Sequence, residues 1–398
     1  MSSNSERRYD LDWLRVMAIL LVLVFHVAMI YCSFGFHLKN NPTSRVFDYF
    51  IMFAHQWRMP LLLLISGAGT YFAAGKRSIG QIFRERNRRL LIPLIFSMLV
   101  IVPPQIYFER IANFTSYWDF YKTVFAFIPY PDGGSLSWHH MWFVLYLLLY
   151  SILALPLLSF LRKNSEGKFV NAMDKYFSGK WSFLSIVIFI VATQIILRPY
   201  FPEETHALID DWAYFVQYGC YFLLGLLISS RENIWNNVEK RRRLHLITGI
   251  ISVLFMWVMY AGLWEIVAKY IPNDTIQIIW EINEIITGVS WVLAISGYGK
   301  KYLNTKSAFL QYSNEGIYPF YILHQTVIIF IGYYFMQFSN SILGGFFTIS
   351  LLSFIITVLI YILAVRPFNF MRFLFGMKPL KKAAAPELNV IASETSVN

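Results

Sequence analysis

Long apolar runs alternate with short polar connectors along most of this 398-residue chain. A helix that crosses hydrocarbon needs ~20 mostly apolar residues. About ten segments qualify: 11–33, 46–74, 90–108, 138–161, 181–198, 212–230, 244–264, 275–298, 309–337 and 342–365. The pattern predicts an all-α, polytopic integral membrane protein with about ten transmembrane helices. Pro103-Pro104 should kink or end the third segment. The first run carries Arg15 and His26 and has no small-residue cleavage site, so it reads as a span and not a removable signal.

Only 14% of the residues are charged, against about 25% in soluble domains. That leaves no room for a large soluble domain. The last stretch, AAAPELNVIASETSVN, reads as a disordered tail, giving a membrane domain over 1–375 and a tail over 376–398. Cys32 and Cys220 lie inside apolar segments and imply no disulfide framework.

The net charge of +11 is sorted by loop. Connectors on the N-terminal side, with both tails, hold 26 Lys and Arg; the opposite connectors hold 6, and Arg15 and Arg58 lie within spans. An even number of spans and the positive-inside rule agree on two cytoplasmic termini. The charge is therefore a topology signal with lipid headgroups as default partners, and nucleic acid is not expected.

Ionisable groups within spans are costly unless paired or wet, which makes them candidates for function. Arg15 and His26 are eleven residues apart on nearly one helical stripe, with His26 roughly 22 Å past Leu11. Asp12 is a natural partner for Arg15. The stripe reads as one wall of a polar path. Taken alone, Arg15 reads first as snorkelling to headgroups, while His26 reads equally as an interhelical hydrogen bond. His55 and Arg58 are one turn apart in the second span, and Ser66, Gly67 and Gly69 further along permit close helix contact. Arg84, Arg86, Arg88 and Arg89 precede the third span and read as a topology anchor or a phosphate clamp. His139 and His140 sit between Trp138 and Trp142, tryptophans that suit an interfacial belt or a platform for a sugar ring. Glu281 and Glu284 form a carboxylate pair one turn apart, expected to meet a cation such as Arg58. Glu315 and His324 are read on the cytoplasmic half of the ninth span. No two histidines share a helix at metal-ligand spacing, so no metal is expected.

DLDWLRVMAILLVLVFHV resembles the first-helix signature of the membrane acyltransferase family 3, Leu-Asp-x-Leu-Arg with a histidine beyond it. MPLLLLISG is similar to that family's second-helix Ser-Gly motif. RNRRLLIP resembles its Arg-x-x-Arg…Pro, carried by Arg86, Arg89 and Pro93; Arg89 lies four before the proline, where three is commoner, so Arg86, Arg88 and Arg89 stay as alternatives. HHMWFVLYLLLY is similar to its His-Leu-Trp-Phe-Leu motif, with Met141 in place of leucine, and GIYPFYILHQTVI to its Leu-His motif. The five motifs occur in order over residues 8–375, and HVAMIYCSFGFHLKN and FAHQWRMPLLLLISG look most like the osmoregulated periplasmic glucan biosynthesis group of succinyltransferase type.

The resemblance implies O-acyl transfer, of succinyl or acetyl, from cytosolic acyl-CoA to a hydroxyl of an extracytoplasmic glycan across the cell inner membrane. Acyl-CoA is then a co-substrate, and no cofactor is permanently bound. His26 is implied as the base, and Arg15, Arg86 and Arg89, with Arg88 as the alternative, as contacts of the CoA phosphates. Arg58 fits an oxyanion or a succinyl carboxylate, Glu281 and Glu284 fit orientation of a histidine or sugar, and His55, His140, Trp142 and His324 fit substrate binding. The competing reading is a proton-coupled transporter or exporter, in which His/Glu chains relay protons; internal repeats and paired broken helices, common in that class, are not detected.

Overall fold

A computed structural model describes residues 7–75, 77–131 and 133–380. Among the described residues there is no β-strand. The helices are α1 (Tyr9–Tyr31), α2 (Arg45–Ala73), α3 (Ile79–Glu109), α4 (Tyr117–Val124), α5 (His139–Leu153), α6 (Leu155–Lys163) and α7 (Lys168–Phe177). They continue as α8 (Ser182–Leu197), α9 (Trp212–Ser230), α10 (Glu232–Val267), α11 (Asn273–Tyr302), α12 (Ala308–Phe338), α13 (Ile342–Val365) and α14 (Asn369–Leu374).

Seven of these, α1, α3 and α9–α13, are long and apolar enough to cross a bilayer. The pairs α5–α6 and α7–α8, bent by 44° and 101°, bring the count to nine. The protein is an all-α, multi-pass membrane protein. The second expected span corresponds to α2, which has the length at 29 residues; His55, Gln56 and Arg58 dilute its apolar run. α1 lies at the centre, packed against α2, α11, α12 and α13.

Two faces can be followed through contacts. On the N-terminal face Tyr9 N–H donates to Asn304 Oδ1 (3.0 Å), Arg162 to Arg77 O (3.0 Å) and Lys300 to Glu232 (2.7 Å). On the far face Trp138 Nε1 donates to His206 O (2.9 Å) and Arg110 to Gly134 O (2.9 Å).

Three sequence expectations shift. α3 begins at Ile79, eleven residues before the expected start, because Ser78 and Gln81 form a reciprocal capping box. Arg84–Arg89 are therefore on the helix and not in a loop before it. The cluster Lys240–Arg243 likewise lies within α10. Pro103-Pro104 neither ends nor cleanly breaks α3. A wider π turn over Ser97–Ile101 precedes the prolines. Pro103 lacks the N–H that would bond Leu99 O, and the Tyr121 hydroxyl donates to that oxygen instead (2.9 Å). Ile101 O receives Thr326 Oγ1 (2.7 Å) from α12. The proline defect thus docks α3 on α12 beside His324. Of the expected tail, residues 376–380 fold back, with Leu380 N–H on Asn369 Oδ1 (2.8 Å), while 381–398 lie outside the described residues.

α2 and α9 touch backbone to backbone. A Cβ on Gly67 would lie 2.0 Å from Phe222 O, and one on Gly225 would lie 1.9 Å from Leu64 O. Only glycine fits at either position without separating the helices. At Gly69, expected to serve the same purpose, a Cβ would instead meet Arg15 Nη2 at 3.8 Å, an ordinary contact. Gly67→Ala or Gly225→Ala should cost about 1–3 kcal/mol or more by overpacking. Thermal denaturation in detergent should register a lower midpoint for each, with no such drop for Gly35→Ala, where a Cβ meets open space.

Candidate active site

The far-face end of α1 carries His26. Its flanking Phe25 and Val27 are 3% and 0% exposed, whereas His26 itself is only half-buried. His26 Nδ1 lies 2.9 Å from His324 Nε2 on α12. His324 Nδ1 lies 2.6 Å from Tyr321 O. A carbonyl only accepts, so His324 Nδ1 carries a proton. In the neutral imidazole Nε2 is then an acceptor, and His26 Nδ1 must donate to it. That leaves the lone pair of His26 on Nε2, which has no hydrogen-bond partner among the described residues. His140 completes the cluster: Nε2 donates to Ile322 O (3.0 Å), and Gln105 Nε2 donates to Nδ1 (3.4 Å) while also bonding Thr326 (2.7 Å). His324 and His140 are buried. His324 therefore belongs with His26 and not on the cytoplasmic half: sixteen residues into α12 it has climbed about 24 Å. Glu315 stays at the other end, bonded to Arg372 (2.8 Å).

A second chain of bonds starts at Arg58. Its guanidinium stacks over Phe25 (3.4 Å to the ring centroid), and Nη1 donates to His55 Nδ1 (3.2 Å). His55 Nδ1 must accept, so Nε2 carries the proton and donates to Glu204 Oε2 (2.8 Å). Glu204 also accepts the Tyr218 hydroxyl and His206 Nε2 (2.9 Å). Burial pushes the Glu204 carboxyl upward, but its electrostatic contacts and hydrogen bonds with the His55 and His206 rings outweigh it, and the group sits well below its usual range. Glu204 thus balances Arg58 through a neutral imidazole. Arg58 is 8% exposed, has no carboxylate within ion-pair distance among the described residues, and its Nε has no acceptor. It is a buried cation with an unfilled donor.

The expectation that Arg58 meets Glu281 and Glu284 is not met. Arg198 takes that place at 3.5 Å from each carboxylate. It follows α8 directly, so the count by loops assigned it to a connector. Gln56 adds a bond to Glu284 (3.3 Å). His55, Gln56, Arg198, Tyr214 and Glu284 help to line a polar chamber of ≈ 30 Å³, room for roughly two waters. The carboxylate pair therefore neighbours His55 and not His26. Trp142 is no open sugar platform either: it is 8% exposed and stacks on His206 at 4.0 Å.

At the N-terminal face, Arg15 lies 3.5 Å from Asp12 and beside Gly69. Arg86 Nη2 donates to Thr70 Oγ1 (2.8 Å), so these two arginines converge on one turn of α2. Arg89 pairs with Glu85 (3.3 Å), and Arg88 points over Phe373 of α14 (5.8 Å). Between Arg15 and His26 the stripe is not an open wall: Ala18, Ile19 and Val22 are 3%, 7% and 1% exposed.

The model of the acyltransferase domain family matches residues 8–366. This chain belongs to that family. It is similar to glucans biosynthesis protein C of Shigella dysenteriae serotype 1, 23% identical over 389 residues that cover 95% of this chain and 96% of the relative. The proteins of the same name from Salmonella heidelberg and Salmonella typhi are each 24% identical over 395 residues, covering 95% and 97%. No solved structure matches.

Sequence reasoning about this acyltransferase missed Glu204, His206, Tyr218, Gln105 and Arg198. Glu204 and His206 lie in the connector 198–211, where His206 and Leu208 adopt left-handed backbone (φ 57° and 69°), a cost of about 1–3 kcal/mol each. Side-chain anchors hold that connector: Glu204 on His55, Trp142 on His206, and Asp211, which accepts Thr205 N–H (3.2 Å) and the Tyr146 hydroxyl. Burial pushes the Asp211 carboxyl up to about 6. A raised carboxyl favours the protonated form in the fold, so this contribution is full at low pH and is lost as pH rises toward and through 6. Asp211→Asn mimics the protonated form. Its denaturation midpoint should gain on wild type between pH 4.5 and 7.5, by roughly 1–3 kcal/mol equivalent; a pH-independent gap would contradict the burial argument.

Proposed function

We propose that this acyltransferase moves a succinyl or acetyl group from cytosolic acyl-CoA to a hydroxyl of an extracytoplasmic glucan, across the inner membrane. The observation that carries this reading is the His26–His324 pair: an imidazole held in one tautomer, its other nitrogen free to act as a base, next in sequence to the Phe25 ring on which the buried Arg58 stacks. The glucan is suggested by the name of the relatives. The donor side is suggested by Arg15 and Arg86, guanidinium forks that suit CoA phosphates, on the face whose connectors carry most of the positive charge.

In the proposed reaction His26 Nε2 takes the proton of the sugar hydroxyl. The hydroxyl oxygen attacks the thioester carbonyl, the C–S bond breaks, and an ester forms. The proton passes from His26 to the CoA thiolate. His324 holds His26 in the productive tautomer, as an orienting partner does in other base-assisted sites. Arg58 receives negative charge, on the oxyanion or on a succinyl carboxylate. Arg15 and His26 are about 16 Å apart along α1, within reach of a pantetheine arm. Ala18, Ile19 and Val22 close that stripe, so donor entry requires the helices against α1 to part there.

The test uses radiolabelled succinyl-CoA or acetyl-CoA, glucan, and membranes carrying each variant. His26→Ala should lose about 10²–10⁴-fold in transfer. His324→Ala should fall well below wild type, and His324→Gln, whose carbonyl can still accept from His26 Nδ1, should recover part of the loss. Proton-coupled glucan uptake without label transfer would instead support a transporter. Separately, Arg86→Ala should raise the KM for acyl-CoA tenfold or more with little change in kcat, as expected for losing a charged hydrogen bond of about 1.5–3 kcal/mol. Arg88→Ala, whose side chain turns toward Phe373, should leave that KM near wild type.

A further inference from the structure

Three separate segments each bring one ligand-type side chain to the same point on the far face. His37 comes from the connector 32–44, Glu109 from the last residue of α3, and His139 from the start of α5. His37 Nδ1 lies 2.6 Å from Glu109 Oε2. The rings of His37 and His139 stack with centroids 4.6 Å apart. One ligand atom from each of the three residues lies within 4.8 Å of the other two.

The surroundings hold these groups as an outer shell holds metal ligands. The Tyr130 hydroxyl donates to Glu109 Oε1 (2.7 Å) and leaves Oε2 facing the histidines. Ser137 Oγ bonds His139 Nδ1 (2.7 Å), while His139 Nε2 is buried with no partner at all. A buried ring nitrogen without a hydrogen bond is costly and calls for an explanation. Arg110, the nearest cation, is spent on Gly134 O (2.9 Å), Pro131 O (3.2 Å) and the face of Tyr130 (4.7 Å). The cluster takes no part in the acyl transfer proposed above. The Phe36 ring separates it from the base, 5.2 Å from the His37 ring and 6.0 Å from His26.

We propose that His37, Glu109 and His139 bind one divalent transition-metal ion, zinc by its chemistry, and that the ion clips connector 32–44 to α3 and α5. Two imidazoles and a carboxylate suit zinc, with ligand distances of about 2.0–2.2 Å and a fourth position for water. Tetrahedral ligands at that radius stand about 3.3–3.6 Å apart. The His37–Glu109 contact therefore opens slightly on binding, and the two rings swing out of their stack so that both lone pairs meet the ion. The clip fixes Phe36 against His26, so the ion acts on the loop and supplies no step of acyl transfer.

The full chain, purified in detergent and stripped with EDTA, is equilibrated with Zn²⁺ against a fluorescent chelator and its metal content is measured. About one zinc per chain, bound with submicromolar affinity, is expected, together with visible d–d bands of a four-coordinate ion when Co²⁺ is used. His139→Gln and Glu109→Gln, each checked for a monodisperse elution, should weaken binding at least tenfold. Wild-type protein that retains less than about 0.1 zinc per chain, or uptake undiminished in both variants, overturns the proposal. Neither outcome bears on the role of His26, because neither readout is activity.

Discussion

Lipid offers no hydrogen bonds, so a backbone polar group within the hydrocarbon is costly unless it finds its partner inside the protein. That constraint organises the far-face half of the bundle. A proline pair in α3 strips two amides from the ladder, and the carbonyls around it are taken by Tyr121 and Thr326. The second of these bonds ties α3 to α12, and Gln105, the residue after the proline pair, then reaches Thr326, Gln325 and His140 together. The histidine cluster is held by backbone carbonyls at Tyr321 and Ile322, acceptors whose direction is fixed by the helix. Fixed acceptors dictate the tautomers, and the tautomers decide which nitrogen can act as a base.

The same constraint explains how a full positive charge persists at Arg58. A direct carboxylate would neutralise it and occupy it. Here Glu204 is set one imidazole away, and the guanidinium lies across Phe25 with Nε unfilled. The charge is compensated at a distance and remains available to an incoming anion. The connector that carries Glu204 bears two left-handed non-glycine residues, tolerable because Trp138, Trp142, Tyr146 and Asp211 pin it. Strain held by many anchors is typical of a functional loop.

Much of this was legible in the sequence. Apolar runs give the spans, and the spacing of Arg15 and His26 puts an arginine at one end of α1 and a histidine at the other on one helical stripe. Depth arithmetic placed His26 well, and the same count from the start of the ninth segment at residue 309 puts His324 about 22 Å along its helix, beside His26 and not on the cytoplasmic half. Glu204 and His206 were invisible for a different reason. They sit in a connector, where an ionisable residue is ordinary, and only the folding of that connector onto α2 makes them otherwise. Arg198 escaped notice because it stands one residue past a helix end, and periodicity says nothing about which neighbour a terminal side chain turns toward. Gly67 carried a signal, since small residues in a span mean close approach, and its partner Gly225 carried one too, four residues before Ser229 on α9, a spacing that sequence reasoning missed.

The π turn over Ser97–Ile101 has a consequence of its own. Relative to an unbroken α-helix it holds one extra residue, and one residue is worth about 100° of rotation. The two halves of α3 therefore show their neighbours faces that no straight helix of the same sequence can present at once. The arginine-bearing first half packs on α5 and sends Arg86 to Thr70 of α2, and the second half, from Gln105 onward, is turned toward α12 and the His140 ring. A lineage could gain or lose that alignment through one inserted or deleted codon, without altering a single residue that touches a substrate.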